Sequence, residues 1–191
     1  MFNLLKTKLS DHQNLQLAQT RDWKKYLNAN TPGLRDCQLV TAINAYYFFY
    51  GKTILQDSKR YKRFLEDTKA ATGDSCINID KVYSELGLKR VAGPKILMDS
   101  NIDNLDSELA PSLPFELSIF HKHYGIHSVL VVDYEPRTES LRVPNFFVET
   151  STKGWIYVDD IQHFAQHIHD PESGTKMRCR QIEKVKSDET S

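Results

Sequence analysis

Cys37 opens an apolar, helix-like run, Asp36-Cys37-Gln38-Leu39-Val40-Thr41-Ala42-Ile43-Asn44-Ala45-Tyr46. About ninety residues later His127 lies near the start of a strand-like run, Gly125-Ile126-His127-Ser128-Val129-Leu130-Val131-Val132-Asp133. A thiol is a good nucleophile as its thiolate, and a helix N-terminus favours that anion through its N–H groups and macrodipole. An imidazole held on a rigid strand can take the thiol proton and later return it to a leaving group. A thiol on a helix followed by a histidine on a strand is the pattern of a cysteine-nucleophile enzyme.

Such a histidine needs a partner that fixes its ring and tautomer. Asp133 falls on the same strand face, but six residues at about 3.3 Å each put it roughly 20 Å away. The next strand supplies a better candidate. A turn within Glu135–Glu139 would bring Asn145 to within one or two rungs of His127, where its side-chain carbonyl could accept from the imidazole.

The elements that must position these groups can be read in order. Residues 10–27 look helical, and Asn28-Ala29-Asn30-Thr31-Pro32-Gly33 is a loop. Cys37 to Tyr50 is apolar nearly all round, which predicts a buried, central helix, and Gly51 ends it. Asp57 to Ala71 and Ile79 to Leu86 predict surface helices, the second closed by Gly87, with a further helix over Asn101 to Leu109. After Pro111 the character changes. Phe115 to Phe120, Ile126 to Tyr134, Ser140 to Val148 and Trp155 to Val158 read as strands of an antiparallel meander. Asp159 to His169 returns to helical period, and the tail from Lys184 is polar and expected to fray. Helices followed by strands give an α+β class. The expected organisation is a helical extension over 1–27, a domain over 28–170, and a C-terminal strand or tail over 171–191.

The 191 residues carry 25 Lys plus Arg against 25 Asp plus Glu, so there is no general pull toward nucleic acid or an acidic membrane. The basic run Lys59-Arg60-Tyr61-Lys62-Arg63 is expected to be a solvated helix face. Cys37, Cys76 and Cys179 are odd in number and lack metal-type spacing, which argues against a disulfide scaffold. No signal-peptide core or membrane-spanning run is present, so a cytoplasmic protein is expected, with signal-less export left open. His163 and His167 share a helix face and could bind a metal with Asp170. Ile161, Phe164, Ala165 and Ile168 already form the buried stripe there, so no metal or cofactor is expected. His121-Lys122-His123 reads as a polar hairpin tip, and the aromatic run Tyr46 to Tyr50 as core.

On these residues the chain resembles papain-like-fold cysteine peptidases, and is most similar to their bacteriocin-processing, double-glycine-type branch. The resemblance rests on Asp36-Cys37 opening a helix, on His127 with Val129 to Asp133, and on Asn145 after Leu141-Arg142-Val143-Pro144. Gly154-Trp155-Ile156-Tyr157-Val158-Asp159 adds a strand-then-helix ending. It spans about Asn28 to His169. It implies a papain-like fold, with a central N-terminal helix packed on an antiparallel sheet. The implied activity is cleavage of a peptide or amide bond in a peptide or protein substrate by a Cys37-His127-Asn145 triad. The family's glutamine upstream of the cysteine has no counterpart at Thr31 or its neighbours, and Gln38 stands where a small residue is usual. Asn30, Asn28 or Gln19 could supply the oxyanion amide, with the Cys37 N–H as second donor. Two rival readings accompany this one: an NlpC-type amidase, deamidase or transferase, and a papain-like binding or regulatory module without catalysis.

Overall fold

The computed structural model describes residues 21–23, 28, 34–70, 76–93, 113–121, 125–135, 137, 140–144, 155–157 and 178–186. Among the described residues three helices precede seven strands in chain order: α1 (Cys37–Tyr50), α2 (Lys59–Thr68), α3 (Ile79–Glu85), β1 (Leu88–Ala92), β2 (Phe115–His121), β3 (Gly125–Val131), β4 (Asp133–Glu135), β5 (Ser140–Arg142), β6 (Trp155–Tyr157) and β7 (Arg178–Lys184). The class is α+β, as the sequence predicts. The expected helices over 101–109 and 159–169, and nearly all of the one over 10–27, lie outside the described residues.

α1 is buried almost all round; among its fourteen residues only Gln38, Tyr46 and Tyr50 reach solvent appreciably. It stops where Gly51 adopts φ 66° and returns its N–H to the Tyr47 carbonyl, a left-handed cap that glycine takes without strain. α2 is amphipathic. Ser58 Oγ caps it by accepting from the Tyr61 N–H at 3.2 Å, and Tyr61 and Phe64 point inward. Lys59, Arg60, Lys62 and Arg63 form the expected solvated face, with Arg63 paired to Glu85 of α3.

The strands form a four-stranded antiparallel sheet in the order β1-β7-β2-β3 and a three-stranded one in the order β4-β5-β6. Only the second is a simple meander. In the first, β7 is inserted between β1 and β2, so the last of the described strands is central and the ladder runs through Lys184, where fraying was expected. Beyond it, the Val185 N–H still donates to the Gly87 carbonyl. β1 itself was not anticipated. The end of β1 approaches β7 so closely that a Cβ on Gly93 would stand 2.7 Å from the Cys179 carbonyl carbon, which leaves room for glycine only.

Alternation sorts the first sheet into two faces. Leu88, Ile182 and Leu130 share one face and join Leu39, Ala42 and Ile43 of α1, Phe64 of α2 and Val82 of α3 in a single apolar cluster. The central helix thus packs against an antiparallel sheet, as expected. The expected strand Ile126–Tyr134 breaks at Val132, whose N–H leaves the β2 ladder and donates to the Arg142 carbonyl at 3.0 Å. The β4–β5 hairpin pairs Glu135 with Ser140, so its turn lies within the segment predicted.

Candidate active site

Cys37 is the first residue of α1 and is 8% exposed. Its thiol meets backbone hydrogen-bond donors at Ser128, the residue after His127, and at Gln38. Thr41 Oγ1 strengthens the junction, lying 2.8 Å from the Cys37 carbonyl and 3.2 Å from the Ser128 carbonyl. Helix start and strand edge are therefore fastened together at Ser128. Ser118 and Ser128 are directly paired between β2 and β3, with their hydroxyl oxygens 2.8 Å apart. The backbone of Ser128 is thus turned away from β2 and toward α1, as in the closely spaced, non-hydrogen-bonded type of antiparallel pair. His127, one position earlier on β3, pairs with Ile119 and is half-buried.

The electrostatics differ from the thiolate expected at a helix N-terminus. Burial pushes the Cys37 thiol up, the backbone donors at Ser128 and Gln38 oppose this, and the Glu116 and Asp36 carboxylates add to the rise. Burial also lowers the His127 imidazole below its ordinary value. Each shift favours the uncharged form, as desolvation does. At neutral pH the site holds a thiol and a neutral imidazole, which is the protonation state of a general base waiting for a proton.

Several expected participants take other places. The Asp36 carboxylate, fully buried, accepts from Tyr61 Oη at 2.7 Å and does not cap the helix it precedes. Asn28 is engaged elsewhere: its side-chain amide donates to Thr53 Oγ1 at 2.9 Å. Its backbone forms a reciprocal pair with the Asn44 side chain at 3.0 and 2.9 Å, about 10 Å along the helix from Cys37. Asn145, Asn30, Gln19, His123, His163, His167 and His169 lie outside the described residues. Among the described residues, no group of three His, Cys, Asp or Glu side chains is placed to hold a metal ion.

One polar cluster escaped sequence reasoning. Glu116 on β2 is 1% exposed; its Oε2 accepts from Arg90 Nη1 at 2.8 Å and Tyr83 Oη at 3.4 Å. Its Oε1 accepts from Ser118 Oγ at 3.2 Å and Gln38 Nε2 at 3.5 Å. Arg90 Nε in turn donates to Asp80 at 2.7 Å. The available signal was Glu116 set between Phe115 and Leu117, but with both faces of β2 buried a polar residue there need not point to water. No helix among the described residues is long and apolar enough to cross a membrane. No family model matches the chain, and no curated protein matches it.

Proposed function

We propose that this chain is a cytoplasmic cysteine hydrolase of papain-like fold that cleaves a peptide or amide bond in a peptide or protein substrate. The observation that carries this reading is the Cys37 thiol at the edge of β3, against the backbone of the residue next to His127. His127 takes the thiol proton as Cys37 Sγ attacks the carbonyl carbon, and passes it to the departing amine, leaving a thioester. Water then attacks the thioester carbonyl; His127 takes its proton and returns it to the sulfur as the acid product leaves. Asn145 orients the imidazole. The Cys37 N–H and an upstream amide, from Asn30 or Gln19, hold the oxyanion. Thiol and imidazole both rest uncharged, so the proton moves from sulfur to His127 within the reaction cycle.

The same burial favours a second reading, in which the fold is kept as a binding or regulatory module without catalysis. Alkylation of Cys37 by iodoacetamide, followed by peptide mass spectrometry, separates the two. On the hydrolase reading His127→Ala slows labelling about tenfold at pH 7.5, and the two rates converge at high pH where the thiolate forms unaided. Labelling that is equally slow in both proteins across the whole range would leave the binding module.

A further inference from the structure

We infer that Glu116 is a positioning residue of the Cys37 site, acting through Gln38 on one side and through Ser118 and Ser128 on the other. The two carboxylate oxygens divide the work. Oε2 is anchored on the scaffold by Arg90 of β1 and Tyr83 of α3. Oε1 faces the site, where it holds the side chain of Gln38, the residue bonded to Cys37, and the hydroxyl of Ser118. Ser118 Oγ continues to Ser128 Oγ at 2.8 Å, and the Ser128 backbone meets the thiol. The path from Glu116 therefore reaches the sulfur from both directions.

Four donors match the roughly four acceptor positions of a carboxylate, so Glu116 has little freedom to swing away. A neutral glutamine could bridge Gln38 and Ser118 without the cost of burying a charge. What the carboxylate adds is a fixed negative charge that opposes thiolate formation, after burial the strongest influence in that direction. The titratable groups that act on the sulfur are Asp36 before α1, Glu116 on β2 and Cys76 from the segment preceding α3, and His127 adjoins the Ser128 backbone that meets it. Glu116 carries side-chain contacts to both Gln38 and Ser118 of the β2–β3 pair. Its charge adds to burial in keeping the thiol protonated until a base acts, which limits adventitious alkylation and oxidation of the sulfur. The positioning role rests on the hydrolase reading; the effect on the thiol does not.

The test is the pH dependence of Cys37 alkylation by iodoacetamide in the full chain, resolved from Cys76 and Cys179 by peptide mass spectrometry. Glu116→Gln, with folding verified by circular dichroism, is expected to move the profile to lower pH and label at least about threefold faster at pH 7.5. Glu116→Asp keeps the charge and should follow the wild-type profile. An unmoved Glu116→Gln profile, or an equal displacement in both variants, would overturn the inference. Should neither variant fold, Gln38→Ala at a half-buried position decides. It should slow the His127-dependent labelling about threefold without moving the midpoint, and an unchanged rate would count against the inference. If Glu116→Gln shifts the profile while His127→Ala changes nothing, the hydrolase reading falls and the coupling of Glu116 to the thiol stands.

Discussion

Asp36 directs its carboxylate to Tyr61 and leaves the first turn of α1 to sulfur: Cys37 takes a backbone bond at Gln38, and Cys76 one at Leu39. A helix N-terminus stabilises an anion by about 0.3–1 kcal/mol, up to ~2 in favourable partly buried sites. Burial can move a pKa by several units, each unit about 1.4 kcal/mol. Desolvation therefore prevails, with the Cys37 thiol raised, and Cys76 pushed up from an ordinary value of 9.0 to about 11. A raised acid stabilises the fold fully below the ordinary thiol value, and that stability is lost as pH climbs through the folded value. His127 has the opposite sense. Its lowered imidazole contributes stability above about 6.5, lost as pH falls through the folded value. Urea unfolding should accordingly show stability falling between pH 9 and 11. Cys76→Ala should remove up to about 2–3 kcal/mol of that alkaline loss, relative to its own stability at pH 8. An alkaline slope identical to wild type would mean that Cys76 ionises as freely in the folded chain as in the unfolded one.

At the scale of the element, α1 is the best-foreseen part of the molecule, because an apolar run with no polar face has nowhere to go but the interior. Its two polar inward positions are what the pattern does not explain. Thr41 ties the helix to the Ser128 carbonyl, and Asn44 closes a reciprocal pair with the Asn28 backbone. Asn44→Ala would leave the Asn28 N–H and C=O without these partners in a buried setting. It is expected to cost about 1–3 kcal/mol for each group, read as a lower urea midpoint at unchanged slope. Iodoacetamide labelling of Cys37, two turns away, should change little, whereas an oxyanion role for Asn28 would couple the two. The legible share of the candidate site follows the same division. Cys37 and His127 could be found because each marks the start of an element with a strong period. Gln38, Ser118 and Glu116 could not, because their roles arise only where α1, β2 and β3 meet.

At the scale of the molecule, the limit on sequence reading is β7. Arg178-Cys179-Arg180-Gln181-Ile182-Glu183-Lys184 has weak strand preference and one buried apolar side chain, Ile182, so nothing local marks it as the centre of a sheet. Its conformation is imposed by pairing on both sides, from Leu88–Ala92 and from Phe115–Ser118. β1 was missed for a related reason: beside Leu88 its inner face carries Arg90, a charge made tolerable there by Glu116 and Asp80. Long-range partners thus decide the two strands that hold the Glu116 cluster in place. Lys184 reinforces this by resting its ammonium over the Phe49 and Tyr50 rings of α1, at 5.7 and 5.0 Å. A chain stopped at Met177 should therefore lose more than one edge. β1 and β2 would face an empty rung, Ile182 would vanish from the cluster under the helices, and Arg90 would sit in an isolated strand. The expected outcome is loss of cooperative thermal unfolding by circular dichroism, with Cys37 labelled by iodoacetamide at the rate of an exposed thiol. A truncated chain that melts cooperatively with a protected Cys37 would show that α1, β2 and β3 hold the candidate site without the central strand.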